Sequence, residues 1–288
     1  MKSLKNISET IFAWTLSAAV MIHRSLPRPV DLWLTRKAGF LFGCVAPHMR
    51  RPLVANLRQI LGMDERQAEK TADDVFRNFA LTLHDFFIPD GVTIDVPDRA
   101  RLEEARRSNK GVLTLTFHLG NWELGARTMQ TWGWPVTAVY QPYRNRRFKQ
   151  LIESHRAPGV NFLPVGGHAA RGVMDALRRG DVVAMLGDHP FGEDGGPVDL
   201  LGHRVTWPRG PIILAVRTGA PIVVAVIVSI GAQKYRALIE EPLFPRARTL
   251  AEADRLMQEV AAKFGKVVQS YPTQWYRFRA FEPASPAR

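Results

Sequence analysis

The sequence holds a single cysteine, Cys44, in 288 residues. No internal disulfide can form, and no cysteine-built metal site is available. Eight histidines are present, yet none forms an H-x-x-x-H or H-E-x-x-H pair. The usual helical zinc spacing is therefore missing. There is no G-x-G-x-x-G after a strand pattern, no G-x-x-x-x-G-K-[ST] and no G-x-S-x-G. These absences argue against dinucleotide, nucleoside triphosphate and serine-hydrolase chemistry. No internal repeat and no long low-complexity stretch is visible. The closing PASPAR reads as a frayed tail.

Acidic residues are the other shortage. There are 27 of them against 39 lysines and arginines, a net charge of +12. A surplus this large speaks of partners more than of fold. It suits an anionic membrane surface, an acidic substrate or carrier protein, or nucleic acid. The basic residues sit on no recognisable nucleic-acid recognition element, and the N-terminus is apolar. Nucleic acid is therefore not the expected partner.

The apolar run Ile11 to Ile22, IFAWTLSAAVMI, is flanked by Lys2 and Lys5 before and His23, Arg24 and Arg28 after. It falls short of the roughly 20 residues that span a bilayer. No small-residue cleavage site clearly follows it, which argues against a secretory signal. An interfacial or marginally inserted helix with basic residues at the headgroups fits better. The division expected is 1–28 as a membrane-associated helix and 29–288 as one large domain.

From Pro29 to about Ala105 apolar residues recur at helical spacing, as in Val54, Leu57, Ile60 and Leu61. Thr71 is expected to cap a helix, with Asp73 and Asp74 in its first turn. Pro89 to Pro97 reads as turns, and Arg101 to Arg107 as a charged, exposed helix. Beyond this the pattern changes. Gly111–His118, Pro135–Tyr140, Asp181–Asp188 and Pro221–Ile230 read as strands. Trp122–Thr131, a segment from Arg144 to about Ser154, Ala169–Arg179, Ile212–Arg217 and Leu250–Val268 read as helices. The GEDGGPVDLLGH segment reads as a turn-rich loop. Strands alternating with helices predict an α/β domain whose central sheet is mostly parallel and flanked by helices.

The chemistry concentrates in HLGNWE, His118 to Glu123. His118 falls at the end of a predicted strand, where ligands of open α/β sheets bind. Gly120 permits a tight turn, Asn121 suits a helix N-cap, and Glu123 falls in the first helical turn. A strand–turn–helix junction lets the carboxylate reach the imidazole. Glu123 would then fix the tautomer, and His118 would act as general base on a substrate hydroxyl.

HLGNWELG, GDHPFG and the closing PTQWYRF occur in an order and at a spacing that resemble the late acyltransferases of lipid A biosynthesis. These are the lauroyl and myristoyl transferases, within the lysophospholipid acyltransferase superfamily, marked by His, four residues, then Asp or Glu. The resemblance covers nearly the whole chain, including the stretch around Asn56-Leu57. It implies a glycerolipid acyltransferase-like fold, and His118 and Glu123 as the catalytic pair. In the second block the family usually has Tyr-Arg-Pro. This sequence has Tyr140, Gln141 and Pro142, so Arg144, with Arg146 and Arg147 as further candidates, would supply the cation for an oxyanion or a phosphate. Asn121 and the backbone amides near the turn join that group. In the third block Asp188 and Phe191 match and His189 replaces the usual glutamine. Asp188 would orient an arginine or the loop over the site. Ala215, Gly219, Ala220 and Pro221 match a segment that shapes the family's acyl-binding region. Gln274 and Trp275 match the tail and receive no role.

The resemblance further implies transfer of an acyl chain from a thioester, on acyl carrier protein or coenzyme A, to a hydroxyl of a lipid A precursor. No metal or redox cofactor is called for. The expected partners are acyl carrier protein, an anionic phosphorylated lipid and a membrane surface. The expected location is the cytoplasmic face of a bacterial inner membrane. A lysophospholipid, glycolipid or lipoamino acid is the alternative acceptor. A non-catalytic lipid- or nucleic-acid-binding protein is the alternative from another class.

Overall fold

The computed structural model describes residues 20–143, 145–189 and 195–281. Most of the predicted Ile11–Ile22 helix lies outside these residues, as do Arg144, Phe191 and the closing tail. Residues 20–24 are helical. No helix among the described residues is long and apolar enough to cross a membrane.

Three helices come first: α1 (Arg28–Val45), α2 (Pro47–Leu61) and α3 (Glu65–Phe87). The expected cap at Thr71 is corrected, because Thr71 lies inside α3. The helix begins earlier than expected, at Glu65, behind a capping box on Asp64. Asp64 accepts from the Gln67 N–H at 2.7 Å, and the Gln67 side chain accepts from the Asp64 N–H at 3.3 Å.

The rest is an α/β domain. In chain order it contains β1 (Thr93–Asp95), α4 (Arg99–Arg106), β2 (Val112–Thr116), α5 (Trp122–Thr131), β3 (Val136–Tyr140), α6 (Arg146–His155), β4 (Asn161–Pro164), α7 (Ala169–Arg178) and β5 (Val182–Leu186). Then follow β6 (Gly195–Leu200), β7 (His203–Pro208), α8 (Gly210–Thr218), β8 (Ile222–Gly231), β9 (Lys234–Ile239) and α9 (Leu250–Ser270). Among the described residues one seven-stranded sheet runs β1-β9-β8-β2-β5-β3-β4. All pairs are parallel except β8 with β9.

The predicted strands and helices of the α/β part are all present, within a few residues. The turn-rich Pro89–Pro97 segment also carries β1, which pairs with β9. The GEDGGPVDLLGH segment is corrected from loop to hairpin where it is described. Its second half is β6, paired antiparallel with β7. Gly195, Gly196 and Pro197 are poor strand formers, and the pairing with His203–Pro208 overrides them.

Strand β2 is central and buried, with β5 on one side and β8 on the other. Its alternation sorts the two faces of the sheet. Leu113, Leu115 and Phe117 enter the larger core with α7, α8 and α9. Phe117 meets Phe264 of α9 at 4.3 Å between ring centroids. Both are fully buried, and truncating either to Ala would cost about 3–5 kcal/mol. The opposite side of β2 faces α4 and α5, where Val112, Leu102 and Leu124 pack. On that side Thr116 stands at the wall of a large cavity.

Candidate active site

The site forms at the carboxyl ends of β2 and β5. These strands run parallel with Thr116 opposite Leu186. Two residues further on, the same register sets His118 opposite Asp188. The pairing continues through the Gly187 N–H, which donates to Thr116 O at 2.8 Å. His118 Nδ1 then lies 2.8 Å from Asp188 Oδ1. The His118 backbone N–H donates to Asp188 Oδ2 at 3.2 Å.

The Asp188 side chain is fully buried, while that of His118 keeps 28% exposure. Burial alone would raise the Asp188 carboxyl. The charge and hydrogen bond of His118, with the neighbouring His189, outweigh it and hold Asp188 well below the usual carboxylate range. An ionised Asp188 accepts only, so Nδ1 carries the proton and Nε2 is the basic nitrogen of the neutral ring. His189 packs edge-on against His118 at 4.3 Å between centroids. Its Nδ1 is 3.4 Å from Asp188 Oδ1 but lacks hydrogen-bond alignment. Burial first, and then the neighbouring charges of His118 and Arg277, push His189 below the usual histidine value against the pull of Asp188.

After His118 the chain turns sharply. Gly120 has φ +62°, and a Cβ there would stand 2.0 Å from the Ile227 carbonyl oxygen. Only glycine meets both demands. The Gly120 N–H donates to Gln274 O at 2.9 Å and the Asn121 N–H to Ile227 O at 2.7 Å. Helix α5 starts at once and carries Glu123 in its first turn.

Glu123 does not pair with His118 as expected: no hydrogen bond or ion pair joins the two among the described residues. The register of β2 and β5 gives the imidazole to Asp188, and Glu123 Oε1 faces Arg156 Nη2 at 3.5 Å. Burial raises the Glu123 carboxyl, and Arg156 pulls it back down. Arg156, just after α6, is itself buried, with its cation 4.7 Å from the Tyr140 ring and 4.5 Å from the Phe162 ring. Among the described residues its Nε and Nη1 have no hydrogen-bond partner.

His118, Glu123, Arg156 and His189 all line one cavity of about 650 Å³. Its remaining walls are largely apolar and aromatic, with Trp122, Ile152, Phe162 and Tyr276 among them. Other expected site residues lie elsewhere. Asn121 is fully buried behind the site, with its amide donating to Thr82 O at 3.3 Å. It makes no side-chain cap for α5. Arg146 and Arg147 are exposed on α6, outside the cavity wall. Ala215, Gly219, Ala220 and Pro221 sit at the opposite, amino-terminal end of β8 and do not line the cavity.

The tail gains a role. The Tyr276 N–H donates to His118 O at 2.7 Å, and Arg277 Nη1 donates to the Asp188 carbonyl oxygen. Gln274 pairs with the Ser229 backbone at 2.8 and 2.9 Å. Asn56 of α2 donates to Arg277 O at 3.1 Å and to Arg279 O at 2.8 Å. The tail therefore buttresses both His118 and Asp188.

Two groups among the described residues bring three cation-ligand atoms within 4.8 Å of one another: His118, Asp188 and His189, and His23, Asp31 and His84. In the second the Arg28 guanidinium already sits 2.8 Å from Asp31 Oδ2.

An imidazole held by a buried carboxylate thus stands at the sheet's carboxyl edge, lining a large and mostly apolar cavity. Residues 1–280 match the bacterial lipid A biosynthesis acyltransferase family, and the chain belongs to that family. It is an O-acyltransferase. It is 26% identical over 228 residues to a lipid A biosynthesis palmitoleoyltransferase of Escherichia coli (strain K12), covering 75% of this chain and 73% of that protein. It is 24% identical over 192 residues to a phosphatidylinositol mannoside acyltransferase of Mycolicibacterium smegmatis, covering 65% of this chain and 61% of that protein. Among solved structures, the 1-acyl-sn-glycerophosphate acyltransferase of Thermotoga maritima aligns with a TM-score of 0.41 at 14% identity, over 85% of this chain and 98% of that one.

Proposed function

We propose that this enzyme transfers a fatty acyl chain from an acyl thioester, carried by acyl carrier protein, to a hydroxyl of a lipid A precursor at the cytoplasmic face of the inner membrane. The observation that carries the reading is the 2.8 Å contact between His118 Nδ1 and the buried Asp188 carboxylate, on a ring that lines the cavity. Asp188 holds the tautomer and stabilises the imidazolium, as the carboxylate does in a serine-protease triad. His118 Nε2 removes the acceptor hydroxyl's proton as its oxygen attacks the thioester carbonyl carbon. The carbon–sulfur bond then breaks, and the proton passes to the departing thiolate. The acceptor alcohol is the nucleophile, so no protein nucleophile is required.

Glu123 keeps Arg156 in place. The Nε and Nη1 of Arg156, which have no partner among the described residues, are donors suited to an oxyanion or a phosphate, the task expected of Arg144. Acyl carrier protein is acidic and would be steered to the basic surface.

The acceptor has a second candidate. Relatives named as phosphatidylinositol mannoside acyltransferases make a mannosylated glycolipid the alternative, and Gln141 in place of the family's arginine leaves room for it. The test is mass spectrometry of lipids from cells with and without the protein, with His118→Ala as control. A lipid A species gaining one acyl mass only with intact His118 supports the reading. A shift in another lipid keeps the reaction and changes the acceptor. No shift in any lipid, with native donor present, removes the catalytic reading.

A further inference from the structure

Helix α1 is built inside out. Its buried positions are Asp31, Thr35, Gly39 and Gly43, which are polar or small. Its exposed positions include Val30, Trp33, Leu34, Leu41 and Val45. Trp33 is 57% exposed, Leu41 61% and Val45 77%. At about 100° per residue these five fall on one stripe opposite the buried four. A helix on the surface of a water-soluble domain shows the reverse arrangement.

The inner face is anchored, so α1 cannot roll to hide the stripe. Asp31 meets His84 Nε2 at 2.9 Å and Arg28 at 2.8 Å, and it also bonds His23. The Thr35 hydroxyl donates to Asp31 O at 3.0 Å. A Cβ at Gly39 would come within 2.5 Å of Phe76 O, and one at Gly43 within 2.6 Å of the Phe76 ring. Helices α1 and α3 are in close contact, and larger residues on that side would force them apart.

Charge indicates what covers the stripe. Residues 20–63 contain seven lysines and arginines and one acid, Asp31. That acid is the buried one. Lys37 lies within the stripe with its ammonium 5.7 Å from the Trp33 ring centre. A lysine there can lay its stem on apolar surface and raise its head to a phosphate. A second copy of this chain would bring the same positive charge against itself.

We propose that the outer face of α1 docks on an anionic phospholipid surface, with the helix axis in the membrane plane and Trp33, Leu34 and Leu41 inserted among the acyl chains. The stripe from Val30 to Val45 is about 22 Å long. Helix α3, against which α1 packs, lends Thr82, Leu83 and Phe86 to the cavity wall, so docking there brings the cavity near the bilayer that holds the acceptor. The inference rests on the reading that the acceptor is a membrane lipid.

The test is co-sedimentation of the full chain with vesicles of phosphatidylcholine alone or with phosphatidylglycerol added. The variants are Trp33→Glu/Leu41→Glu and, as a milder pair, Leu34→Gln/Val45→Gln, each checked for fold by far-UV circular dichroism. The intact protein is expected to prefer the phosphatidylglycerol vesicles and to release from them as salt rises. The glutamate pair is expected to weaken binding about tenfold or more. It should leave transfer to a detergent-dispersed acceptor unchanged and lower transfer to a vesicle-embedded one. Unchanged vesicle binding by both folded variants overturns the proposal and assigns attachment to residues 1–19. A concentration-dependent dimer that Trp33→Glu abolishes also overturns it. Vesicle binding that depends on Trp33 and Leu41 in a protein that transfers no acyl group upholds the docking surface and rejects the functional reading instead.

Discussion

The backbone N–H of Tyr276 donates to the carbonyl oxygen of His118 at 2.7 Å. One residue further on, Arg277 reaches the carbonyl oxygen of Asp188. The C-terminal segment therefore holds His118 and Asp188 from behind, by one backbone N–H and one guanidinium. Its own position is fixed by Gln274 on Ser229 and by Asn56 on residues 277 and 279. Gln274→Ala removes two of these bonds. It is expected to cost about 1–3 kcal/mol of stability and to lower kcat while leaving donor KM near its wild-type value. Thermal unfolding and steady-state kinetics check both parts.

Gly120→Ala puts a methyl group against the Ile227 carbonyl in a backbone conformation that disfavours side chains. Strain and overpacking together are expected to cost about 3 kcal/mol. Because the turn aims His118, residual activity should fall by more than the lost folded fraction. Activity per folded molecule, with folding measured by circular dichroism, separates the two effects.

Arg156→Ala leaves Glu123 as an unpaired carboxylate in the cavity wall. It is expected to lower stability by about 1–3 kcal/mol and to raise KM for the anionic substrate. The double variant Arg156→Ala/Glu123→Gln removes the stranded charge. It should recover stability relative to the single variant without recovering KM. A double variant less stable than Arg156→Ala would show that the pair is not coupled in this way.

The depressed Asp188 carboxyl gives a pH dependence of known sign. Its folded value lies below the unfolded one, so the unfolded chain binds more protons between the two. The stability it contributes is present above the ordinary aspartate value of about 3.9 and is lost as pH falls toward the folded value. Asp188→Asn abolishes that contribution. Its melting temperature should fall less steeply than the wild type's as pH drops below about 4. Parallel curves would mean that Asp188 is not held ionised by its neighbours.

Much of the α/β part was legible because each buried strand is an apolar, β-branched run bounded by a turn. The HLGNWE junction was legible for the same reason: an apolar run ends at His118, a glycine allows the turn, and helical spacing resumes. The histidine's partner was not. Asp188 faces His118 because β2 and β5 are neighbours in register, and strand order is not written in any one strand. Glu123 is near in sequence and so drew the assignment. Arg156 was hidden likewise, since it sits outside the basic run of Arg144 to Arg147 that charge patterning singles out. The inverted face of α1 follows from what packs against it, and helical periodicity reads the same for either orientation.

In the proposed mechanism Asp188 orients the His118 imidazole, while Glu123, through Arg156, serves substrate binding. The most direct test is the split of kcat and KM for Asp188→Asn and Glu123→Gln, in one assay with purified enzyme, acyl thioester and lipid acceptor. Asp188→Asn is expected to lower kcat by about 10²–10⁴ at near-constant KM, and Glu123→Gln to act chiefly on KM. Near-normal kcat in Asp188→Asn, with kcat collapsing in Glu123→Gln, would contradict the account and return the imidazole to Glu123.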